Sequence, residues 1–314
     1  MLSAGKSPWP EAGKISLGEP VNRLAWAVAL LVAIWYPTVA GAVPQAGAES
    51  VGTGASAEAI PVEGSMTLTG RIAIGADRDV SSHVIDHEEQ VPEEVKAFLA
   101  RQIAGWRVGV DDGVELPPEA VVRFTVQVRA SPAGDGLYGL WLDGVNLDEP
   151  LPASRRVSAR RLRPPVYPTA MAKVGAGGIV YMQVLLDAEG RVEDVFAEQV
   201  DLTTLPDEPA DVINYQLEFI AHAAAAARRW RFSMPSEGPY AGKRHVLRIP
   251  VDFTLADKPE PGYGQWRFLV RGVRRVAPWL SADGGARARD DGIAVAGGDL
   301  QLASSRIWVV RPDG

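Results

Sequence analysis

Apolar and polar residues alternate along several short stretches of this chain, a pattern typical of β-strands that bury one face. Residues 67–74 and 121–128 alternate in this way, while residues 178–186 (GIVYMQVLL) are apolar almost throughout. Residues 187–190 (DAEG) follow with a turn motif whose glycine suits a positive φ angle, and residues 191–198 resemble a returning strand. The pattern predicts a β-hairpin here and further strands closer to the N-terminus.

Two other stretches show the spacing of helices. The first begins with Pro92-Glu93-Glu94, residues that favour the positive end of a helix dipole, and ends at Gly105. The second covers residues 217–229, where a run of alanines has high helix propensity and two arginines favour the negative end of the dipole. The apolar positions at helical spacing in the first stretch are Val95, Phe98, Leu99 and Ile103.

The same order of elements occurs twice. Gly70, the first helix, Trp106-Arg107-Val108 and a strand are matched by Gly178, the second helix, Trp230-Arg231-Phe232 and a strand over residues 246–255. An internal duplication is the economical explanation, and two β-β-α-β units that arose independently are the alternative. The predicted fold class is α+β, with two small antiparallel sheets that are each packed by one helix.

Each of the two tryptophans stands where a helix passes into a strand. We expect Trp106 and Trp230 to close the cores at these points, and an exposed surface for stacking a ligand is the alternative. The predicted core of the second unit consists of apolar positions of its strands and helix, namely Val184, Leu186, Val192, Val195, Leu217, Ile220, Ala223, Trp230 and Phe232.

The N-terminal region has the composition of a membrane segment. An uncharged stretch runs from Leu24 to Ala48 after several basic residues. It fits a signal peptide with Ala40-Gly41-Ala42 as the cleavage pattern, and residues 24–43 also reach the roughly 20 residues that span a bilayer. Both interpretations export the residues after Val43, and a buried helix of a soluble protein is a third alternative.

These patterns divide the chain into six parts. Residues 256–314 contain strand-like stretches at 265–270 and 307–310, which pair with each other or extend the preceding sheet. The expected parts are a cytoplasmic segment (1–23), a transmembrane anchor or signal peptide (24–43), a flexible linker of small polar residues (44–65), a first β-β-α-β unit (66–150), a second unit (151–255) and a C-terminal extension (256–314).

Composition narrows the classes of function. The chain has 314 residues and a formal net charge of −7, which argues against nonspecific nucleic-acid binding because that depends on clustered basic residues. It contains no cysteine, so disulfides, thiolate metal sites and cysteine nucleophiles are excluded. With 46% hydrophobic residues the chain is expected to bury substantial cores.

Candidate chemistry in the sequence is sparse. His83-x-x-Asp86-His87 resembles a metal motif, but it lies just before Pro92 without a further ligand motif, so we interpret it as a solvated turn. His222 and His245 are interpreted as ordinary surface or half-buried histidines. No nucleophile elbow, phosphate-binding glycine loop or paired-carboxylate constellation occurs. We therefore predict a binding protein with no catalytic residue, metal or cofactor.

One dense basic run lies before the second unit. We expect it to be a solvated linker, and contact with acidic partners or lipid headgroups is the alternative. Its arginines are Arg155, Arg156, Arg160, Arg161 and Arg163.

Four motifs together resemble the TonB C-terminal domain over residues 161–255. They are Pro165-Val166-Tyr167-Pro168, the turn at 187–191, Trp230-Arg231-Phe232 after a helix, and Val251-Asp252-Phe253. The resemblance implies a short helix over 169–174 and a small antiparallel sheet with a longer helix on one face. It also implies an inner-membrane transducer, driven by a proton-motive partner complex, that binds an outer-membrane receptor by pairing a receptor segment with a sheet edge.

The resemblance also assigns roles to individual residues. The implied partner-binding residues are Arg163, Pro164, Pro165, Val166, Tyr167, Val246, Arg248, Val251 and Phe253. The implied structural motif consists of Tyr167, Pro168, Gly178, Gly190, Trp230 and Phe232.

The sequence departs from the family pattern at two places. The stretch Leu24–Val43 lacks the histidine through which the family's anchor helix couples to its proton-driven complex, and the long proline-rich spacer is missing. The expected localisation is the inner membrane with a single span and most of the chain in the periplasm. The alternative is a soluble periplasmic scaffold or adapter with the same fold and no energy coupling.

Overall fold

We describe the protein from a computed structural model. The structure describes residues 60–111, 114, 116–117, 119–134, 137–149, 151–258, 260–279, 301–302 and 305–310. The predicted cytoplasmic segment, the predicted anchor or signal peptide and the linker up to residue 59 lie outside these residues. Within the described residues, no helix is both long enough and apolar enough to cross a membrane.

The first half of the described chain is built around one long strand. β1 begins at Val62, inside the range expected to be linker, because Val62–Ser65 pair with Arg267–Val270. β4 and β5 form a hairpin whose second strand was not predicted. The elements are β1 (Val62–Ile74), β2 (Val80–Ile85), α1 (Glu93–Ala104), β3 (Arg107–Val110), β4 (Ala120–Gly134) and β5 (Leu137–Leu147).

The second half contains the predicted hairpin and the longer helix. Part of the basic run forms a strand, β6, which pairs with β9, so this run is not merely a linker. The short helix expected from the resemblance is present as α2. The elements are β6 (Ser158–Arg161), α2 (Thr169–Lys173), β7 (Gly178–Leu186), β8 (Val192–Leu202), α3 (Asp211–Ala227), β9 (Arg231–Ser233) and β10 (His245–Phe253).

The described residues after β10 contribute three further strands, β11 (Arg267–Val270), β12 (Gln301–Leu302) and β13 (Ile307–Val310). The two predicted strands of this region do not pair with each other. β11 lies between β8 and β1, and β13 pairs with β3. Nine of the described strands form one sheet in the order β12-β10-β7-β8-β11-β1-β4-β5, with β2 beside β1. The pairs are antiparallel and three α-helices of the described residues accompany them, which confirms the α+β class. The prediction of two separate small sheets is wrong, because β11 joins β8 of the second half to β1 of the first.

The two halves share one pattern of pairing. β1 lies between its hairpin partner β2 and the later strand β4, just as β7 lies between β8 and β10. In each half a helix and a short strand separate the hairpin from the last strand. This equivalence agrees with the predicted duplication, which stays a prediction.

The core of the first half packs around α1. Val95, Phe98, Leu99 and Ile103 are buried, as the helical spacing predicted. Trp106 is 1% exposed and its ring meets that of Phe124 edge-on at 5.9 Å. Trp106 therefore closes the core, and the alternative of an exposed stacking surface is wrong.

The core of the second half packs between α3 and the sheet β10-β7-β8. Trp230 is 4% exposed and closes this core as predicted. The prediction for Leu217 is wrong, because α3 begins at Asp211 and turns Phe219 and Ala223 inward, leaving Leu217 54% exposed. The other predicted core positions are buried or packed against the cluster, namely Val184, Leu186, Val192, Val195, Ile220, Ala223, Trp230 and Phe232.

The sheet curls back on itself. Gln127 lies on β4 and Tyr181 lies on β7, four places away in the order of strands. The two residues are nevertheless in contact, with the Gln127 Nε2 and the Tyr181 hydroxyl oxygen 3.4 Å apart. The face of β7 and β8 that points away from α3 is therefore covered by the first half of the chain.

Candidate functional site

The Tyr-Pro motif anchors the segment that precedes α2. The hydroxyl of Tyr167 donates a hydrogen bond to the carbonyl of Ala176. Its ring meets those of Phe219 on α3 and Phe253 on β10 at 6.1 and 5.8 Å. Burial, followed by the charges of nearby aspartates, raises the pKa of Tyr167. The motif thus ties this segment to both the helix and the last strand of the sheet.

Two further hydrogen bonds hold the same segment against α3. The indole Nε1 of Trp230 donates to the carbonyl of Arg163 at 2.8 Å. The Nδ1 of His222 lies 2.6 Å from the carbonyl of Val166, and this nitrogen carries the proton because a carbonyl only accepts. Arg163 and Val166 are exposed, so residues 163–167 form a fixed, accessible strip beside the helix.

Only part of the outer edge of β10 pairs with another described strand. β12 pairs with Leu247 and Arg248. Beyond them, no strand among the described residues pairs with the outer edge of Ile249–Phe253. Pro250 lies within this stretch, as expected for a strand at the border of a sheet. The backbone of these five residues is the feature that a strand added from outside requires.

The implied partner-binding residues of β10 turn their side chains inward. Val246, Arg248, Val251 and Phe253 are each less than 9% exposed. Phe253 packs against Phe219 with ring centroids 4.9 Å apart. A partner that pairs with β10 would therefore meet its backbone rather than these side chains.

Arg248 belongs to a buried ion cluster instead. Its Nε lies 3.3 Å from the carboxylate of Glu198, which is 2% exposed. Arg274 donates to the other oxygen of the same carboxylate at 2.8 Å. Glu198 thus stands between two cations in the interior, and sequence reasoning missed it because Arg274 lies 76 residues away.

A second polar cluster joins β8 to the first half. The carboxylate of Asp201 accepts hydrogen bonds from Gln199 Nε2 at 2.7 Å and from the backbone of Gly272 at 2.9 Å. Burial raises the pKa of Asp201 to about 6, and these hydrogen bonds offset part of that effect. Arg271 binds Asp143 on β5 through two hydrogen bonds at 2.7 and 2.8 Å. This cluster was also absent from the sequence-based prediction.

A cleft of about 470 Å³ lies where β1 approaches the ends of β7 and β10. Arg267 pairs with Asp252 on its wall. Thr69 Oγ1 donates to Asp86 at 2.7 Å, and the hydroxyl of Tyr263 binds both the N–H and the carbonyl of Thr69. These polar groups of the wall are therefore already engaged in an ion pair or in hydrogen bonds within the fold.

The four histidines of the chain lie on strands, in a turn and on a helix. His83 lies on β2, and the ring of His87 stands edge-on to Tyr263 at 5.3 Å. His222 is half-buried, as predicted. The prediction for His245 is wrong, since this residue is 4% exposed and its Nε2 lies 2.7 Å from the carbonyl of Tyr240. Burial lowers the pKa of His245.

The glycines of the structural motif stand where a side chain would collide. Gly190 has φ +80°, and a Cβ there would lie 2.2 Å from the carbonyl oxygen of Phe232. A Cβ on Gly178 would lie 3.0 Å from the carbonyl oxygen of Asp201. Both positions therefore need glycine for close packing of the hairpin.

Two curated proteins are similar to part of the chain. The chain is 32% identical over 104 residues to Protein TonB of two strains of Xanthomonas campestris pathovar campestris. These matches support a relationship to the TonB family. The aligned part is 33% of this chain and 40% of each relative, so this chain spans less than half of the TonB proteins that it matches. No protein-family model and no solved structure matches the chain.

Proposed function

We propose that this protein binds an extended segment of an outer-membrane receptor, or of another periplasmic partner, by strand addition along the outer edge of β10. The proposal rests on the backbone edge of Ile249–Phe253, which no described strand pairs, in the region whose motifs resemble the TonB C-terminal domain. Residues 163–167 lie close to the end of this strand through the contact of Tyr167 with Phe253. They supply the second surface for the partner.

The edge of β10 is suited to hydrogen bonding with the backbone of a partner. Its inward side chains fix the strand against α3, so the edge is preformed and little ordering entropy is lost on binding. Specificity then comes from the exposed groups beside the strand, namely Asp252 and the strip from Arg163 to Val166. The protein acts by binding and needs no catalytic group.

Hydrogen exchange of the full chain tests the site. Peptides from the periplasmic segments of outer-membrane receptors are added, and amide exchange is compared with and without peptide. We expect slower exchange in Ile249–Phe253 and in residues 163–167, with no change in Arg231–Ser233 of β9. Peptide binding without protection at β10 would contradict the proposal.

Single cysteines give a matched test, because the chain contains no cysteine of its own. Pro250→Cys places a thiol on the proposed edge, and Asn214→Cys places one on the exposed side of α3. A receptor peptide that carries cysteine should cross-link to the first variant and not to the second. Equal cross-linking of both variants would remove the edge as the site.

We propose in addition that the chain is an inner-membrane transducer coupled to a proton-motive partner complex. The similarity to TonB and the apolar stretch Leu24–Val43 support this step. The alternative is a periplasmic scaffold, which the missing histidine in that stretch favours. The mass and membrane partition of the mature protein separate the two. An intact membrane-bound chain supports the transducer, and a soluble chain that begins near Val43 supports the scaffold.

A further inference from the structure

The solvent side of α3 carries an apolar stripe. Ile213 and Leu217 are 56% and 54% exposed, and the exposed alanines Ala221 and Ala225 continue the stripe at intervals of four residues. Residues spaced by four lie on one face of a helix. The opposite face of α3 packs on β7 and β8, so the stripe is not needed for the core of this chain.

The side chains of the stripe change in size along the helix, so that the stripe is complementary to a second copy of itself. Its first half carries the two large residues and its second half carries the two small ones. In an antiparallel pair of helices centred level with Phe219, Leu217 of one copy lies opposite Ala221 of the second copy. Ile213 then lies opposite Ala225 of the second copy. Large residues thereby meet small ones, which is the complementarity that close helix packing requires.

The charges at the two ends of α3 favour the same arrangement. Asp207, Glu208 and Asp211 lie at its start, and Arg228 and Arg229 follow its end. Neither arginine has an ion-pair partner among the described residues. An antiparallel pair places these arginines beside the carboxylates of the second copy, whereas a parallel pair would place like charges together.

From these observations we propose that two copies of the protein associate through α3, antiparallel and two-fold symmetric. The contact is isologous, so each copy offers the same stripe. A helix of 17 residues is about 25 Å long. One such pair buries an interface in the small class, below about 1,200 Å², so the dimer is weak and forms at high concentration. This contact is separate from the edge of β10, and it does not depend on the proposed receptor binding.

Sedimentation of the full chain over a range of concentrations measures the association. We expect a monomer–dimer equilibrium that Leu217→Glu weakens about tenfold or more, because the substitution places a charge against an apolar surface. Val273→Glu is the matched control, since Val273 is 84% exposed and lies outside α3. A wild-type chain that stays monomeric at millimolar concentration overturns the proposal, as does equal weakening by both variants.

Cysteine pairs determine the orientation in a chain without native cysteine. Leu217→Cys mixed with Ala221→Cys should form a disulfide-linked heterodimer under mild oxidation, and Ile213→Cys mixed with Ala225→Cys should do the same. Each variant alone should cross-link poorly. Efficient cross-linking of Ile213→Cys or Ala225→Cys with itself would indicate a parallel contact and contradict the model of association.

Discussion

The indole Nε1 of Trp230 donates a 2.8 Å hydrogen bond to the backbone carbonyl of Arg163, 67 residues earlier in the chain. Trp106 occupies the equivalent place in the first half and is just as buried, but its indole Nε1 has no hydrogen-bond partner among the described residues. Trp230 therefore has a second role, which is to fasten the segment that leads to Tyr167.

This difference predicts unequal effects of one substitution. Trp230→Phe and Trp106→Phe both remove buried ring volume, but only the first removes a hydrogen bond. We expect Trp230→Phe to lose about 0.5–1.5 kcal/mol more free energy of unfolding than its counterpart. Hydrogen exchange in residues 163–167 should accelerate in that variant alone. Equal losses with unchanged exchange would show that the hydrogen bond does not hold the segment.

Substitutions of two glycines test how tightly the turn between β7 and β8 is packed. Gly190 and Gly242 both have positive φ angles, +80° and +67°, but a Cβ meets a carbonyl oxygen only at Gly190. Gly190→Ala should therefore cost more than the roughly 1 kcal/mol of backbone strain expected for Gly242→Ala. Chemical denaturation of the two variants measures the difference. Similar midpoints would contradict the tight contact with Phe232.

The buried carboxyl of Asp201 predicts a pH dependence of stability. Burial raises its folded pKa from 3.8 to about 6, so the folded state holds a proton more tightly than the unfolded state. Its contribution to stability is therefore greatest below about pH 4, falls between pH 4 and 6, and is constant above. Asp201→Asn retains an oxygen acceptor and removes the charge. As the pH rises from 4 to 6, we expect the free energy of unfolding of the variant to increase relative to that of the wild type, by at most about 3 kcal/mol.

Thermal melts of both proteins from pH 3.5 to 8 measure this effect. The difference in melting temperature should grow up to about pH 6 and then stay level. A difference that shrinks as the pH rises would mean that Arg271 and the hydrogen bonds outweigh burial at Asp201.

Two carboxylates at very different depths provide a test of the ion clusters. The side chain of Glu198 is buried between Arg248 and Arg274, whereas Glu193 pairs with Arg244 near the surface. Glu198→Gln leaves two cations without their counter-charge and should cost about 3–5 kcal/mol. Glu193→Gln should cost less than about 1 kcal/mol. Denaturant unfolding of both variants measures the two costs, and comparable values would contradict the buried pair.

The local parts of the fold could be predicted from the sequence. The hairpin at β7 and β8, the helix α1 and the tryptophans that close the cores follow from spacing, turn residues and helix ends that lie within a few positions of one another. The first turn of α3 was missed because residues 201–214 contain acidic residues and prolines that are typical of a loop. Leu217 was consequently assigned to the wrong face.

The long-range parts could not be predicted in this way. The second strand of the hairpin was expected to end at Glu198, since Glu198, Gln199 and Asp201 are polar and typical of a solvated loop. They are buried because Gly272 and Arg274 bind Asp201 and Glu198 from a segment more than 70 residues away. The same segment supplies β11, whose place between β8 and β1 depends on a pairing that no local pattern encodes.

The position of β1 also determines which hydrogen bonds resist a force applied to the chain before Val62. β1 is the first described strand, yet it lies inside the sheet, paired with β4 over Gly64–Ile74 and with β11 and β2 on its other side. A border strand peels away one rung at a time when its end is pulled. Tension that enters the chain before Val62 instead acts on hydrogen bonds along both sides of a strand. Separating β1 from the sheet therefore requires breaking hydrogen bonds to β11, β4 and β2.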